Sequence, residues 1–237
     1  MNDLVTVILP NYNSSTFIES TIDSVLFQTY SNLELIIIDN GSTDNSPEII
    51  RRKMHNDDRI NLIELKQNSG GPAHPRNIGI KESSGSYLAF IDSDDKWHNQ
   101  KISIQMRLVN KSKEQFISCI KKDFYNSDEN LVQEKYEEKE ISITKITFTQ
   151  LLKKNLISTS GVLISKKLLN NLRFNESKNY IAIEDYLLWL QIHEHLNYSI
   201  MINLPLLNYR KSNNSLTPIK GKIFLQKILL FLQYKFL

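Results

Sequence analysis

The chain has 237 residues, a length that fits one domain or one domain with a smaller appended region. Charged residues make up 23% of the sequence and hydrophobic residues 41%, so the chain can bury a core and is not broadly disordered. Its single cysteine, Cys119, excludes a disulfide framework and a cysteine-based zinc site. No run reaches the roughly 18 apolar residues of a spanning helix, and the N-terminus lacks a signal-peptide pattern, so we expect a cytoplasmic protein.

The net charge of +3 is concentrated at the C-terminal end of the sequence. Residues 219–237 contain four lysines and no acid, which leaves 25 basic residues against 26 acidic ones in the rest of the chain. A nucleic-acid-binding protein would carry its basic excess on the folded domain. We therefore predict no nucleic-acid partner.

The same tail is strongly apolar. Residues 223–237 contain 11 apolar residues among 15, too few to span a bilayer. The pattern predicts a basic amphipathic helix in the headgroup region of an anionic membrane, which would make the protein peripheral on the inner face. The alternative is a helix packed on the body or on a second protomer of a homodimer.

Strand and helix patterns alternate in the first half of the chain. Short β-branched runs predict strands at residues 4–9, 33–38, 60–65 and 87–91. Helices are expected at residues 17–26, with a capping box of Thr16 and Glu19, at residues 46–55, with Ser46 as N-cap, and at residues 75–83. This alternation predicts an α/β fold with a mainly parallel, doubly wound sheet.

The second half is less regular. It predicts strands at residues 116–124 and 160–165, an exposed loop or hairpin at residues 126–140, and a helix at residues 183–196.

Polar and acidic residues follow three of the predicted strands. They are Pro10 to Asn13, Asp39 to Asp44, and Asp92 to Asp95. In an open parallel sheet, ligands bind at the carboxyl ends of the strands, where these residues would meet. The sequence contains neither a Gly-x-Gly-x-x-Gly turn nor a Walker A lysine, so a dinucleotide or P-loop site is excluded.

Asp92 and Asp94, separated by Ser93, offer another way to hold phosphates. Two carboxylates at a strand end can present oxygen ligands to Mn²⁺ or Mg²⁺, which leaves coordination positions for diphosphate oxygens. By itself such a pair is more often a solvated turn. The pair follows a strand whose end would lie at the same edge of the sheet as two other polar strand ends, and this position favours the metal interpretation.

Three segments together resemble glycosyltransferase family 2, whose members are inverting, nucleotide-diphospho-sugar-dependent enzymes of the GT-A fold. They are residues 5–44 (VTVILPNYNSSTFIESTIDSVLFQTYSNLELIIIDNGSTD), 71–79 (GPAHPRNIG) and 87–97 (YLAFIDSDDKW). The resemblance implies a donor-binding half at residues 1–110, an acceptor-binding and catalytic half at 111–218, and the tail at 219–237. It also implies a smaller acceptor-side region beside the Rossmann-like sheet.

The resemblance also implies which residues bind the donor. Asp39 matches the acid that reads the uracil ring, and Tyr12 matches the aromatic that lies against the base. Asp92 matches the acid near the ribose, and Asp94 the acid that ligates Mn²⁺ or Mg²⁺, with Asp95 the weaker candidate. The full implied donor-binding set is Pro10, Tyr12, Glu19, Asp39, Arg76, Asp92, Ser93 and Asp94.

Two members of this set have structural alternatives. Arg76 would face the nucleotide or its diphosphate with forked hydrogen bonds, or would be a surface helix charge. Tyr12 viewed alone is as well explained as a half-buried loop aromatic.

Glu184 and Asp185 resemble the family's acidic pair, in which the second acid removes the proton of the attacking hydroxyl. Because the metal stabilises the leaving diphosphate, the leaving group needs no general acid. The reaction then requires only one base, which removes the proton of the hydroxyl. Glu184 and Trp189 would then bind the acceptor, Trp189 as a stacking wall four residues from Asp185. The alternative is an acidic first helical turn favoured by the helix dipole, with Trp189 in the core.

The sequence departs from the family at Ser212, where a histidine is often found near the diphosphate; Arg210 or Lys211 would then hold the phosphates. We expect transfer of a hexose or N-acetylhexosamine to a saccharide acceptor, such as a lipid-linked bacterial surface glycan. A sugar-nucleotide or glycan binding protein without turnover is the main alternative. A nucleotidyltransferase is disfavoured because its glycine-rich, arginine-containing first loop is missing.

Overall fold

The computed structural model describes residues 3–125 and 134–211. Within these residues, nine strands form one sheet: β1 (Val5–Asn11), β2 (Leu33–Asp39), β3 (Ile60–Glu64), β4 (Tyr87–Phe90), β5 (Lys96–Trp97), β6 (Phe116–Phe124), β7 (Ile143–Ile146), β8 (Leu163–Ser165) and β9 (Ser199–Arg210). The α-helices of the same residues are α1 (Ile18–Leu26), α2 (Ser46–Asn56), α3 (Ala73–Glu82), α4 (Lys101–Ser112), α5 (Phe148–Lys153), α6 (Lys166–Leu169) and α7 (Glu184–His193). The predicted α/β class is confirmed.

The sheet has two parts that differ in strand direction. Its order is β3-β2-β1-β4-β8-β6-β9-β5, with β7 added beside β9. The first four strands are parallel, as predicted, because α1, α2 and α3 carry the chain back between them. From β4 onward the pairings are antiparallel except between β6 and β9, so the sheet is mixed rather than mainly parallel.

Helices cover both faces of the sheet, as a doubly wound fold requires. Apolar side chains of α1, α2 and α4 pack on one face, and those of α3, α5 and α7 pack on the other. Gly79 lets α3 approach the sheet closely, because an added Cβ would lie only 2.5 Å from Ile8 Cγ2 and 3.0 Å from Ile38 Cδ1. This close contact places Arg76, one turn earlier, at the carboxyl ends of the strands.

Several element boundaries differ from the prediction. No side chain caps α1, so the expected capping box of Thr16 and Glu19 does not form. The N-cap of α2 is Asn45 rather than Ser46, whose N–H and hydroxyl both donate to Asp44 Oδ1. Residues 159–161 form a single 3-10 turn before β8.

Two sequence predictions fall wholly or partly outside the described residues. They are the exposed segment at 126–140, of which residues 134–140 are described, and the amphipathic tail at 219–237. In the part of the chain that is described, no helix has the length and apolar character needed to cross a membrane. The division into donor and acceptor halves remains a prediction, although one sheet runs through both because β4 pairs with β8.

Candidate active site

Asp39 ends β2 and is enclosed by hydrogen bonds. The side chain is 3% exposed. Its Oδ1 accepts hydrogen bonds from Asn11 Nδ2 at 2.6 Å and Ser42 Oγ at 2.6 Å, and its Oδ2 accepts from the Ser42 N–H at 3.0 Å. These bonds orient the carboxylate and leave acceptor capacity on Oδ2 for one further donor. The sequence had not singled out Asn11 and Ser42 as its partners.

Tyr12 and Pro10 lie at the end of β1, next to Asp39. Tyr12 is 45% exposed, so its ring face is open to a planar ligand. Pro10 is buried in β1, where it pairs with Ile38 of β2. The two residues remain predicted donor contacts.

Glu19, in the first turn of α1, forms ion pairs with α2. Its Oε1 is 3.1 Å from Arg52 Nη2 and 3.2 Å from Lys53 Nζ, both on α2. A hydrogen bond from Lys53 is the main factor that lowers its pKa. The structure therefore assigns Glu19 to the contact between α1 and α2 rather than to the site.

The turn after β4 carries Asp92, Ser93 and Asp94, and the rest of the protein holds it in place. The carbonyl of Ser93 accepts a hydrogen bond from Thr21 Oγ1 at 3.0 Å. The carboxyl of Asp94 is largely surrounded by protein, and burial followed by the charge of Asp92 raises its pKa to about 6. A carboxylate in this state is stabilised by a cation that binds to it.

Asp95, which follows that pair, is a structural residue. It is buried, and its carboxylate accepts hydrogen bonds from Ser160 Oγ at 2.5 Å and from the Arg210 N–H at 3.0 Å. Burial, then Asp92 and Asp94, raise its pKa. Because the oxygens of Asp95 already have protein partners, Asp94 is the better candidate metal ligand.

Arg76 is a buried bridge between two acids that are 92 residues apart in the chain. It is 3% exposed. Its Nη2 donates to Asp92 Oδ1 at 2.7 Å, and its Nη1 donates to Glu184 Oε1 at 2.8 Å. Burial alone would lower its pKa, but the carboxylates of Asp92 and Glu184 outweigh burial and raise it. The alternative of a surface helix charge is wrong, because the buried guanidinium joins the turn after β4 to the start of α7.

Asp185 lies at the start of α7 with its carboxylate held in a defined orientation. Its Oδ2 accepts a hydrogen bond from Thr159 Oγ1 at 2.6 Å, and its Oδ1 accepts from the Tyr186 N–H at 2.6 Å. Burial, then the charge of Glu184, raise its pKa to about 6. Ala182, just before the helix, has a φ of 69°, a conformation rare for a residue other than glycine.

A shallow, open cleft lies beside Glu184, and the sequence did not predict it. One wall is the start of α3 and the glycine-containing segment before it; the other is the loop before α7. The lining residues are Ser69, Gly70, Gly71, Pro72, Ala73, His74, Asn175, Glu176, Ser177, Lys178, Ile181 and Glu184. Glu184 is 4% exposed, and its Oε2 has no hydrogen-bond partner among the described residues. This oxygen is therefore a buried acceptor without a donor from the described residues.

Trp189 is not a stacking wall. The side chain is 0% exposed and lies between the rings of Phe90, Phe116 and Phe174, at centroid distances of 5.2 to 6.3 Å. The expectation that Trp189 binds the acceptor is wrong, because position 189 on α7 faces the sheet. The core alternative is confirmed.

Replacing Trp189 with alanine should therefore destabilise the protein by roughly 3–5 kcal/mol, the usual cost of removing a buried indole. Trp189→Phe should cost less, because phenylalanine keeps the aromatic packing and Trp189 Nε1 has no partner among the described residues. Thermal unfolding of both variants measures this order. A stable Trp189→Ala protein with only weakened acceptor binding would restore the stacking interpretation.

The residues present fit a divalent cation bound together with a substrate. In the described part of the chain, no group of three His, Cys, Asp or Glu side chains could hold a metal by itself. Asp94, with its raised pKa, would supply one oxygen ligand. Mg²⁺ in phosphate-handling sites typically uses one or two carboxylates and completes its shell with phosphate oxygens and water.

One guanidinium thus joins an acidic strand end to an acidic helix start. Residues 6–173 match the family model described as Glycosyl transferase family 2, and the chain belongs to that family. It is 34% identical over 221 residues to the UDP-Glc:alpha-D-GlcNAc-diphosphoundecaprenol beta-1,3-glucosyltransferase WfgD of Escherichia coli, covering 92% of this chain and 81% of WfgD. WfaP of the same organism, described as having the same activity, is 36% identical over 191 residues, covering 80% and 70%.

Solved structures confirm the GT-A fold. Staphylococcus aureus TarS 1-349 in complex with UDP-GlcNAc superposes with a TM-score of 0.74 at 22% identity, over 95% of this chain and 65% of that chain. The mannosyltransferase PcManGT from Pyrobaculum calidifontis, in complex with GDP-Man and Mn²⁺, gives a TM-score of 0.64 at 20% identity, over 94% and 59%. This chain spans less than two thirds of the length of either structure.

Proposed function

We propose that this glycosyltransferase moves a hexose or N-acetylhexosamine from a UDP-sugar to a lipid-linked saccharide, with inversion at the anomeric carbon. The observation that carries the proposal is the Arg76 bridge, which ties the strand end bearing Asp92 and Asp94 to the helix start bearing Glu184 and Asp185. The transfer needs a carboxylate that holds a metal for the leaving diphosphate and a second carboxylate that removes the proton of the attacking hydroxyl. The two must lie close together, because both groups react at one anomeric carbon. The names of WfgD and WfaP support a UDP-sugar donor and a diphospholipid-linked acceptor.

Each side of the site has a separate task. Tyr12 would lie against the base, and the remaining capacity of Asp39 would accept a uracil N–H. Mn²⁺ or Mg²⁺ held by Asp94 would supply charge stabilisation for the departing diphosphate. Asp92 stays near the ribose, held there by Arg76.

The chemistry on the acceptor side requires one proton transfer. Asp185, oriented by the Thr159 hydroxyl, accepts the proton of the attacking acceptor hydroxyl as the new glycosidic bond forms. The pKa of about 6 leaves Asp185 ionised at neutral pH yet more basic than an ordinary aspartate. Glu184, which lines the cleft beside α7, would lie on the acceptor side of Asp185.

A direct assay tests this function. The purified protein is incubated with Mn²⁺ and a panel of UDP- and GDP-sugars, with a synthetic GlcNAc-diphosphoryl lipid as acceptor. The proposal requires nucleotide release that depends on acceptor and metal, with a product one sugar larger. Tight UDP-sugar binding without release in any combination would favour the binding-protein alternative.

The C-terminal tail would bring this site to its acceptor. We propose that residues 219–237 dock on an anionic membrane through their lysines, each worth about 1 kcal/mol near such a surface. Truncation after Pro218 should abolish co-sedimentation with anionic liposomes at low salt while leaving transfer to a soluble acceptor intact. A truncated protein that unfolds or loses dimerisation, with no liposome binding by the full chain, would show that the tail is a packing element.

A further inference from the structure

Two lysines lie on the ring of Tyr209, near the end of β9. Lys121 Nζ is 3.6 Å from the ring centroid and Lys211 Nζ is 5.3 Å from it, both within range of a cation–π interaction. Lys211 comes from the end of β9 and Lys121 from the neighbouring strand β6. Both ammonium groups are thus in range of one phenol ring; we refer to Lys121 and Lys211 as the lysine pair.

The path of β6 places Lys121 beside the turn that supports the active-site acids. Gly161 ends that turn, and an added Cβ on it would lie 3.2 Å from the carbonyl oxygen of Cys119, two residues before Lys121. The pairing of β6 with β9 changes register on both sides of Ile120. Such irregularities re-aim side chains and are frequent next to active sites. Lys121 follows the irregularity directly.

The end of β9 places the lysine pair beside the turn that bears Asp94. Arg210, which lies between Tyr209 and Lys211, donates from its N–H to Asp95 Oδ1 at 3.0 Å and from Nε to the Asp94 carbonyl at 2.9 Å.

Burial lowers the pKa of Lys121 and Lys211 adds to the lowering, whereas the carboxylates of Asp123, Asp95 and Asp185 act in the opposite direction. The carboxylates of Asp95 and Asp185 are thus among the charges that act on the ammonium group of Lys121. Lys211 pairs with Asp123 at 3.6 Å, but Lys121 has no ion-pair partner among the described residues.

We propose that the lysine pair binds the diphosphate of a sugar-diphospholipid acceptor; this rests on the proposed function. In such an acceptor the diphosphate is attached to the same sugar whose hydroxyl must reach Asp185, so the anion arrives one sugar ring away from the base. Ammonium groups make strong charge-assisted hydrogen bonds to phosphate oxygens. The donor's diphosphate is the other anion near this site. We assign it to Asp94 with its metal and, of the two cations that the sequence offers for it, to Arg210 rather than Lys211, because Arg210 Nε donates to the Asp94 carbonyl at 2.9 Å.

The test compares two acceptors that differ only in the diphosphate. One is a short-chain GlcNAc-diphosphoryl alkyl lipid and the other is the neutral alkyl glycoside of GlcNAc. The Lys121→Met/Lys211→Met double variant should raise the KM of the diphosphoryl acceptor at least about tenfold, the usual effect of losing charged hydrogen bonds. The KM of the neutral glycoside and that of the UDP-sugar should change less than about twofold on the same reasoning.

Lys122→Met is the matched control, because Lys122 is also exposed on β6 but neighbouring strand residues point to opposite faces of the sheet. An equal loss in this control, or an equal loss for both acceptors, would overturn the proposal. A raised UDP-sugar KM with an unchanged acceptor KM would show that the pair binds the donor diphosphate instead.

Equilibrium binding separates this proposal from the proposed function. The diphosphoryl lipid is titrated into the wild-type protein and the double variant with UDP and Mn²⁺ saturating, so that the donor site is filled. Binding lost in the double variant supports the lysine pair even if no transfer to GlcNAc occurs, an outcome that would count only against the proposed reaction. Equal binding by both proteins, or no binding by the wild type, would overturn it.

Discussion

An Asp185→Asn variant is expected to bind the donor normally and to lose transfer by a factor of about 10²–10⁴, the usual contribution of a positioned general base. Asparagine keeps the shape of the side chain and can still accept the hydrogen bond from Thr159 Oγ1, now 2.6 Å from Asp185 Oδ2. It cannot accept a proton from the acceptor hydroxyl. Turnover at saturating donor and acceptor measures the loss, and titration with UDP measures donor affinity.

The pH dependence gives an independent check on Asp185. Burial and Glu184 raise its pKa to about 6, and only the ionised form can act as the base. Turnover should therefore rise with pH up to about 6 and level off above it. Because Asp94 also has a pKa near 6, the profile should be recorded at saturating metal and donor, conditions that keep Asp94 ionised.

Glu194→Gln is a suitable control for Asp185→Asn, since Glu194 is an exposed acid just beyond the other end of α7. It should leave turnover and donor affinity unchanged. If Asp185→Asn instead weakens UDP binding and keeps its rate at saturation, Asp185 is a binding residue and the base lies elsewhere.

An Asp94→Ala variant is expected to lose at least a hundredfold in activity, on the order of 3 kcal/mol of transition-state stabilisation. The reason is the loss of the proposed protein ligand for the cation that stabilises the leaving diphosphate. Wild-type turnover should stop in excess chelator and return with Mn²⁺ or Mg²⁺. The variant should also lose the metal-dependent part of UDP binding, which a titration with and without Mn²⁺ measures.

Asp58→Ala provides the control, because Asp58 is an exposed aspartate in the turn between α2 and β3. It should retain full, metal-dependent activity. Undiminished wild-type turnover in excess chelator would remove the metal from the mechanism. In that case the raised pKa of Asp94, which burial and the charge of Asp92 cause, would have no role in metal binding.

Arg76 couples the two sides that these variants test. Its guanidinium contacts Asp92 on the donor side and Glu184 on the acceptor side, at 2.7 and 2.8 Å. Removing one partner of a buried charged network leaves the others uncompensated, so effects at Asp92 and Glu184 should not be additive. Asp94 and Asp185 do not contact Arg76 directly, which makes them the cleaner substitutions.

The sequence alone determined the first half of the fold and predicted the edge of the sheet at which the candidate site lies. Alternating β-branched runs and amphipathic helices specify parallel βαβ units locally, and the carboxyl ends of parallel strands must meet at one edge. For that reason the positions of Asp39, Asp92 and Asp94 at strand ends suffice to assign them to one site, and the family motifs that surround them can be recognised in the sequence.

Only the tertiary structure decided which side chains face which partner. The burial of Trp189, the bridge of Arg76 and the ion pairs of Glu19 all depend on elements distant in the chain, and a helical spacing of four residues is equally compatible with a core or a cleft. The lysine pair is the clearest case. Lys121 and Lys211 are 90 residues apart, and they share the ring of Tyr209 because β6 and β9 pair in parallel with a shift of register that no local pattern encodes.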